Sequence, residues 1–264
     1  MLSIYRAQFR VTFATQLQYR ASMVIWQIAT VLEPTIYLVV WRTIARSGGG
    51  RVGSYAIADF AAYFLVLMLV NHLTFTWIMW EYEYRIRQGM FSPLLLRPVH
   101  PIHMDIADNI THKLLAFSIL LPASGALWFA FRPALHPPGW AIAAVIPALG
   151  LAFLLRFLVE WTLAMAAFWT TRTMAVNQLY YVTMLFMAGQ IAPLELLPGP
   201  LRAAAMVLPF RWMVAFPVEL ILGRLTPMAA LTGLAAQAVW LVLAFGLFQL
   251  VWRGGVRRYS GVGA

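Results

Sequence analysis

Apolar residues in this chain gather into long stretches that alternate with short polar segments. A helix needs about 20 mostly apolar residues to cross a bilayer, and six stretches approach that length. We therefore predict an all-α membrane protein with six transmembrane helices. The stretches cover residues 23–44, 59–80, 114–131, 140–169, 174–192 and 228–252.

Residues 1–21 differ from these stretches, because aromatic and basic residues recur in them with a period near four. Tyr5, Phe9, Phe13 and Leu17 fall roughly on one helical face, without the continuous apolar centre of a signal peptide. The pattern indicates an amphipathic helix in the membrane interface rather than a cleaved leader. A plain basic tail is the alternative.

A second segment too broken to span, residues 193–227, precedes the last stretch and places several prolines between short apolar runs. Proline interrupts helices, and such pieces are typical of re-entrant or interfacial segments. We predict a re-entrant segment on the outer side of the membrane. Its charged and aromatic residues form either a gate for substrate release or a cap that seals the exit: Glu195, Arg202, Arg211, Trp212 and Glu219.

Composition agrees with a membrane protein, since 62% of the residues are apolar and only 11% are charged, too few to cover a soluble surface. The absence of cysteine excludes disulfides and thiolate chemistry. The formal charge of +10 does not indicate nucleic-acid binding, because basic residues of membrane proteins gather on the cytoplasmic side.

Counting Lys and Arg on alternate sides of the predicted helices predicts the orientation. The basic residues are more numerous on the side of the N-terminus, so we predict that both termini are cytoplasmic. The residues on that side are Arg6, Arg10, Arg20, Arg85, Arg87, Arg97, Lys113, Arg172, Arg253, Arg257 and Arg258.

The longest polar segment, residues 81–113, lies between the second and third stretches and faces the cytoplasm in this orientation. Its composition suits a short helix that docks another protein, and a solvated connecting loop is the alternative. The segment resembles the cytoplasmic loop of permease subunits of type-2 ATP-binding-cassette exporters, through Ile86, Arg87, Gly89, Leu94, Leu95, Leu96 and Pro98. The amphipathic start, the six stretches and the broken outer segment are similar to that family over the whole chain.

The resemblance implies that residues 1–264 form a single transmembrane permease domain in the inner (cytoplasmic) membrane of a bacterium. It implies an exporter of a lipid, drug or other amphipathic substrate, with a second identical or related permease whose contact uses the first and fifth spans. A loop that receives the ATPase motion is implied for Glu81, Arg85, Ile86, Arg87, Gly89, Leu94, Leu95, Leu96, Arg97 and Pro98.

ATP hydrolysis is expected in a partner chain. No glycine-rich phosphate loop ending in lysine and serine or threonine occurs in this sequence. We therefore expect ATP and magnesium to bind a separate ATP-binding-cassette ATPase subunit. For this chain we expect membrane lipid as a further partner, no cofactor, no metal and no catalytic residue.

Polar residues within the predicted spans are candidates for function, because a charge at membrane depth is costly unless it is paired or wetted. Glu33 lies mid-span, and Arg156 and Glu160 are spaced to share a helix face. Asn71 and His72 lie in the second stretch. They either hold helices together or take part in the passage of substrate or protons, and a contact of Glu33 with Arg156 is one arrangement we consider.

Two rival function classes are considered. An ion-coupled secondary transporter or channel is favoured by inverted repeats, and none is visible. An intramembrane hydrolase of the serine type needs a GxSG motif followed by a histidine within a span, whereas the nearest match, Pro122 to Gly125, begins with proline and lacks that histidine. His100, His103 and His112 have no recognised metal-ligand spacing.

Overall fold

The computed structural model describes residues 2–170 and 173–259, and most of them are helical. In chain order the helices are α1 Leu2–Gln18, α2 Arg20–Ser47, α3 Ile57–Thr74, α4 Ile78–Arg87, α5 Ser92–Leu95, α6 Ile102–Phe131, α7 Gly139–Ala164, α8 Thr173–Met187, α9 Gly199–Val207, α10 Phe210–Met213, α11 Ala215–Ile221 and α12 Pro227–Arg258. Two 3-10 turns cover Met165–Phe168 and Leu194–Leu196. An antiparallel hairpin joins β1 Arg51–Val52 to β2 Tyr55–Ala56.

Five of the described helical stretches are long and apolar enough to cross a membrane: Arg20–Ser47, Ile57–Arg87, Ile102–Phe131, Gly139–Phe168 and Pro227–Arg258. The all-α membrane fold is thereby supported, whereas six spans are not confirmed. The predicted fifth span corresponds to α8, whose 15 residues are shorter than a crossing helix. The chain turns after α8, at Gly189 with φ +74°. Arg172, counted on the inner side, lies outside the described residues.

The predicted loop 81–113 is largely helix in the structure. Helix α6 begins at Ile102, directly after Pro101, and includes the residues assigned to the end of that loop. Asp105, Asn109 and Lys113 recur every four residues along α6 and all three are buried. This part of the segment therefore packs against the protein interior, because its polar residues share one helix face.

The N-terminal helix α1 packs against α6 through Gln8, Thr12 and Tyr5, whose hydroxyl lies 2.9 Å from His103 Nδ1. Gln8 Nε2 donates a hydrogen bond of 2.9 Å to Asp108 Oδ1, and the Thr12 hydroxyl donates to the same oxygen. Phe9 and Phe13 stack on each other and are exposed. The helix is as predicted, and its position in the membrane interface stays a prediction. The structure adds that its outward face is the apolar one.

Helix α3 is the central element of the fold. Twelve of its 18 residues are buried, and it contacts α2, α6, α7 and α11. Helix α7 packs along α12. Where the C-terminal halves of the two helices meet, the fully buried ring of Trp161 lies 5.0 Å from Phe248 and 5.1 Å from Trp252. Large aromatic side chains thus fill the centre of the bundle at this level, and their rings pack edge to face.

The segment 193–227 is broken into short helices as predicted, and its re-entrant path stays a prediction. Prolines precede or begin α9, α10 and the last helix, where their missing N–H costs no helical hydrogen bond. Helix α11 is buried between α7 and α3. It presses Phe216 against Gly233 of α12, where a Cβ atom would lie 2.1 Å from the ring.

Replacing Gly233 with Ala tests this contact. We expect a loss of about 1 to 3 kcal/mol in stability, because the added methyl overlaps Phe216 and forces α11 and α12 apart. Gly246→Ala on the same helix is the matched control, since nothing lies within 4 Å of its Cβ position. Thermal unfolding in detergent should show a lower midpoint for Gly233→Ala only; equal midpoints would contradict the packing described.

Candidate functional site

The two short helices α4 and α5 form a compact turn after α3. Gly89 lies between them with φ +69°, a conformation that glycine adopts without strain. The Gln88 N–H donates to the Tyr84 carbonyl and the Gly89 N–H to the Ile86 carbonyl, closing α4. We call residues 78–98 the coupling segment, after the role that the sequence resemblance implies for part of them.

A buried carboxylate anchors α4 to the bundle. Asp105 of α6 accepts hydrogen bonds from the Tyr82 hydroxyl at 2.5 Å, Arg85 Nη1 at 2.9 Å and Trp161 Nε1 at 2.9 Å. Arg85 also pairs with Glu81 at 3.0 Å. Since hydrogen bonds to a charged group are stronger than neutral ones, Asp105 holds α4, α6 and α7 together.

The second helix of the coupling segment packs on the end of α12. Ser92 Oγ lies 2.9 Å from the Tyr259 hydroxyl, and the Phe91 ring lies 5.4 Å from that of Tyr259. Leu94 and Leu95 pack against the core, whereas Leu96 is 87% exposed. The segment therefore has one side fixed to the bundle and an exposed apolar tip at Leu96.

The histidine that follows the coupling segment lies among aromatic rings. His100 is 4.4 Å from Trp252 and 5.6 Å from Trp161, measured between ring centroids. Burial, and secondly the neighbouring His103, lower the pKa of His100, while Asp105 opposes the shift. The ring is therefore neutral near pH 7 and serves as a packing group.

Between α3 and α4 the helix is interrupted at residues 75–77. Lys113 Nζ donates to the Phe75 carbonyl at 2.5 Å and to Asn109 Oδ1 at 3.3 Å. The Thr76 hydroxyl donates to Glu160 Oε2. The Lys113 side chain thus satisfies a backbone carbonyl at the break, as a bilayer requires, and the Thr76–Glu160 bond ties the segment to α7.

The same break is held from α7 by the buried pair of Arg156 and Glu160. Their Nε and Oε1 atoms are 2.7 Å apart, and the residues are 4% and 1% exposed. Arg156 Nη1 also donates to Asn71 Oδ1 at 2.7 Å and to Thr74 Oγ1 at 3.2 Å. The Tyr180 hydroxyl of α8 donates to Glu160 Oε1 at 3.1 Å. We call these residues, with Thr76, Asn109 and Lys113, the polar network.

Comparison with protein-family models assigns the chain to a family. A model described as ABC-2 family transporter protein matches residues 31–263, which includes all of the coupling segment and all of the polar network. The chain belongs to the ABC-2 transporter family. Searches of curated proteins and of solved structures return no match. The protein is thus a multi-pass membrane subunit of the ABC transporter class, and that class disfavours the ion-coupled and hydrolase alternatives.

In this ABC-2 transporter the other predicted intramembrane residues lie apart from the Arg156 pair. Glu33 accepts a hydrogen bond from the Tyr181 hydroxyl at 3.1 Å on the exposed side of α2 and α8, so it does not contact Arg156. His72 Nε2 lies 3.3 Å from the Lys113 carbonyl. The structure therefore places His72 beside the polar network and Glu33 on the surface of the bundle.

The remaining residues of the predicted coupling loop differ in their surroundings. Arg87 pairs with Glu83 at 3.2 Å, and Arg97 Nη1 lies 3.0 Å from Met104 Sδ. Ile86 is buried and Pro98 is exposed.

The five residues predicted at the outer side do not form one cluster. Arg211 pairs with Glu219 at 2.8 Å and lies over the Trp212 ring at 5.0 Å. Glu195 instead accepts from Ser54 and lies 3.8 Å from Arg224. Arg202 is exposed on α9.

Sequence reasoning missed Asp105 and Lys113 as members of the site, because both were assigned to a loop. The available signal was the recurrence of Asp105, Asn109 and Lys113 every four residues, which marks a polar stripe on a helix. Tyr180, the α8 residue that reaches Glu160, carried no signal because contacts between distant segments leave no local pattern.

Replacing Glu160 with Gln tests the polar network. It leaves the buried Arg156 without its counter-charge, and we expect a loss of about 3 to 5 kcal/mol of stability. Arg87→Gln is the control: its pair with Glu83 has the same spacing, but Arg87 is 57% exposed, so the expected change is about 1 kcal/mol or less.

The measurement is denaturant unfolding of both variants in detergent. The double variant Arg156→Gln/Glu160→Gln should recover part of the loss, since no unpaired charge remains. Equal stability of Glu160→Gln and Arg87→Gln would show that the pair is solvated and would contradict the described burial.

Proposed function

We propose that this ABC-2 transporter is the permease subunit of an ATP-driven exporter in the bacterial inner membrane. It works with a separate ATP-binding-cassette ATPase and with a second permease, and it moves a lipid, drug or other amphipathic substrate out of the cytoplasm. The chain itself performs no covalent chemistry. Both termini and the coupling segment face the cytoplasm.

The observation that carries the proposal is the form of the coupling segment. Its tip, Leu96 with Met90, is exposed and apolar, and its base is tied to α6 and α7 through Asp105. Apolar side chains exposed in water mark an interaction surface. A partner that pushes on the tip therefore moves α4 as a rigid unit, because Tyr82 and Arg85 fix α4 to Asp105.

Movement of α4 reaches the membrane region directly. Helix α4 begins where the break at residues 75–77 ends, and that break is held by Lys113 and Glu160. These bonds lie between α4 and α3 along the chain. A displacement of α4 therefore changes their geometry first and the position of α3 only through them. The polar network is therefore the point at which a cytoplasmic push is converted into a change of helix packing.

Cysteine labelling tests the side on which the coupling segment lies. The chain contains no cysteine, so Leu96→Cys and Ala134→Cys each introduce a single thiol at an exposed position. An impermeant maleimide added to intact cells should label Ala134→Cys and spare Leu96→Cys, which becomes reactive after lysis. Labelling of Leu96→Cys in intact cells would overturn the orientation and the proposed coupling.

Replacement of Leu96 by Asp tests the coupling itself. If the tip is the centre of the ATPase contact, the loss is about 2 kcal/mol or more, roughly thirtyfold in affinity. Leu96→Met, which keeps an apolar side chain, is the control. The readout is the stimulation of ATPase activity by the permease in complexes reconstituted with its partner ATPase subunit. Unchanged stimulation with Leu96→Asp, at normal membrane insertion, would contradict the proposal.

A further inference from the structure

An apolar groove of about 280 Å³ runs between the middle of α3 and the second half of α6. Its walls are Leu65, Val66, Leu69, Ser124, Gly125, Trp128, Leu135 and Ile221. The Ser124 hydroxyl donates its proton to the Leu120 carbonyl at 2.7 Å, so it has no donor left for a ligand. The groove can therefore hold a hydrocarbon chain, and it offers no hydrogen-bond donor to a buried carbonyl group.

A set of arginines lies beyond the groove along α6. Arg42 of α2 places its guanidinium 4.9 Å from the centre of the Phe131 ring, which is one helical turn past Trp128. Arg46 follows Arg42 by one turn of α2, and Arg132 follows Phe131 with φ +46°. Side chains one turn apart share a helix face, so Arg42 and Arg46 point the same way.

These three arginines lack counter-charges. Within residues 2–170 and 173–259, none of Arg42, Arg46 and Arg132 forms an ion pair with a carboxylate, whereas Arg211 and Arg224 of the same outer region do. Arg42 Nε is buried without a hydrogen-bond partner. The guanidinium groups of the three side chains are planar and match the oxygen geometry of phosphate.

We propose that the groove and these three arginines form a binding site for one anionic glycerophospholipid. An acyl chain occupies the groove along Leu65 and Trp128, and the phosphate lies against Arg42 and Arg132. The site is independent of the transported substrate, and it does not require the proposed orientation, because both leaflets contain phospholipid.

A lipid fits this site better than a peptide segment of a second copy. An extended peptide in the groove brings backbone N–H and C=O groups that need partners, and a helix, which is about 10 Å across with its side chains, is too wide for a groove of about 280 Å³. An acyl chain has no such groups. The three arginines at one end of the site match the phosphate of a phospholipid, and the apolar groove at the other end matches its acyl chain.

Two variants separate the parts of the site. Gly125→Leu fills the groove, and its Cβ position meets nothing within 4 Å, so the helix accepts the side chain. Arg42→Gln/Arg132→Gln removes the charge at the rim. The controls are Gly246→Leu, equally open on α12, and Arg51→Gln/Arg202→Gln, two exposed arginines outside the site.

The experiment is native mass spectrometry of the full chain in mild detergent, titrated with phosphatidylglycerol and, separately, with phosphatidylcholine. We expect one phosphatidylglycerol to be retained by the wild type, with phosphatidylcholine retained more weakly. Both site variants should lower the apparent affinity for phosphatidylglycerol about tenfold or more, with the controls within about twofold of wild type.

Three results would overturn the proposal. The first is retention of phosphatidylglycerol by both site variants as in the wild type. The second is an equal loss in the controls, which would mean that lipid binds through general charge or surface. The third is a change in the dimer fraction of Gly125→Leu without a change in lipid retention, which would make the groove a protein interface. Melting temperatures of the variants exclude misfolding as the cause.

Discussion

The need to satisfy backbone groups in the absence of water governs this structure. The stretch Ile57–Arg87 is long enough to span a membrane, yet its helix is broken at residues 75–77. A break of this kind is tolerated only where protein supplies the missing hydrogen bonds. Lys113 supplies one of them by donating to the Phe75 carbonyl, while Glu160 accepts from the Thr76 hydroxyl and pairs with Arg156. Four helices therefore meet at the break, and their packing depends on it.

Helix α6 links this break to the coupling segment. Asp105 at its start holds α4, and Lys113 two turns later holds the Phe75 carbonyl. The two anchors lie on one face of a single helix, with Asn109 between them. A displacement at either anchor therefore bears on the other, because both lie on one stiff helix.

The sequence predicted the membrane class, the helical nature of the chain, the independent N-terminal helix and the broken segment 193–227. It also predicted that Arg156 and Glu160 share a helix face, since residues four apart on a helix are neighbours. These predictions succeeded because length, apolar composition and helical spacing are local properties. The boundary of the loop 81–113 was misjudged, because residues 102–113 form the start of α6 and place Asp105, Asn109 and Lys113 on its buried face.

The alternating apolar and polar stretches thus determined by themselves that the chain belongs in a membrane and where most of its helices lie. Only the tertiary structure decided which polar residues meet: Asp105 with Arg85 and Trp161, Lys113 with the Phe75 carbonyl, and Glu33 with Tyr181 rather than Arg156. The reason is that these partners lie far apart in sequence and their contact depends on how helices pack. Packing depends on the shape of many side chains at once, which no local pattern records.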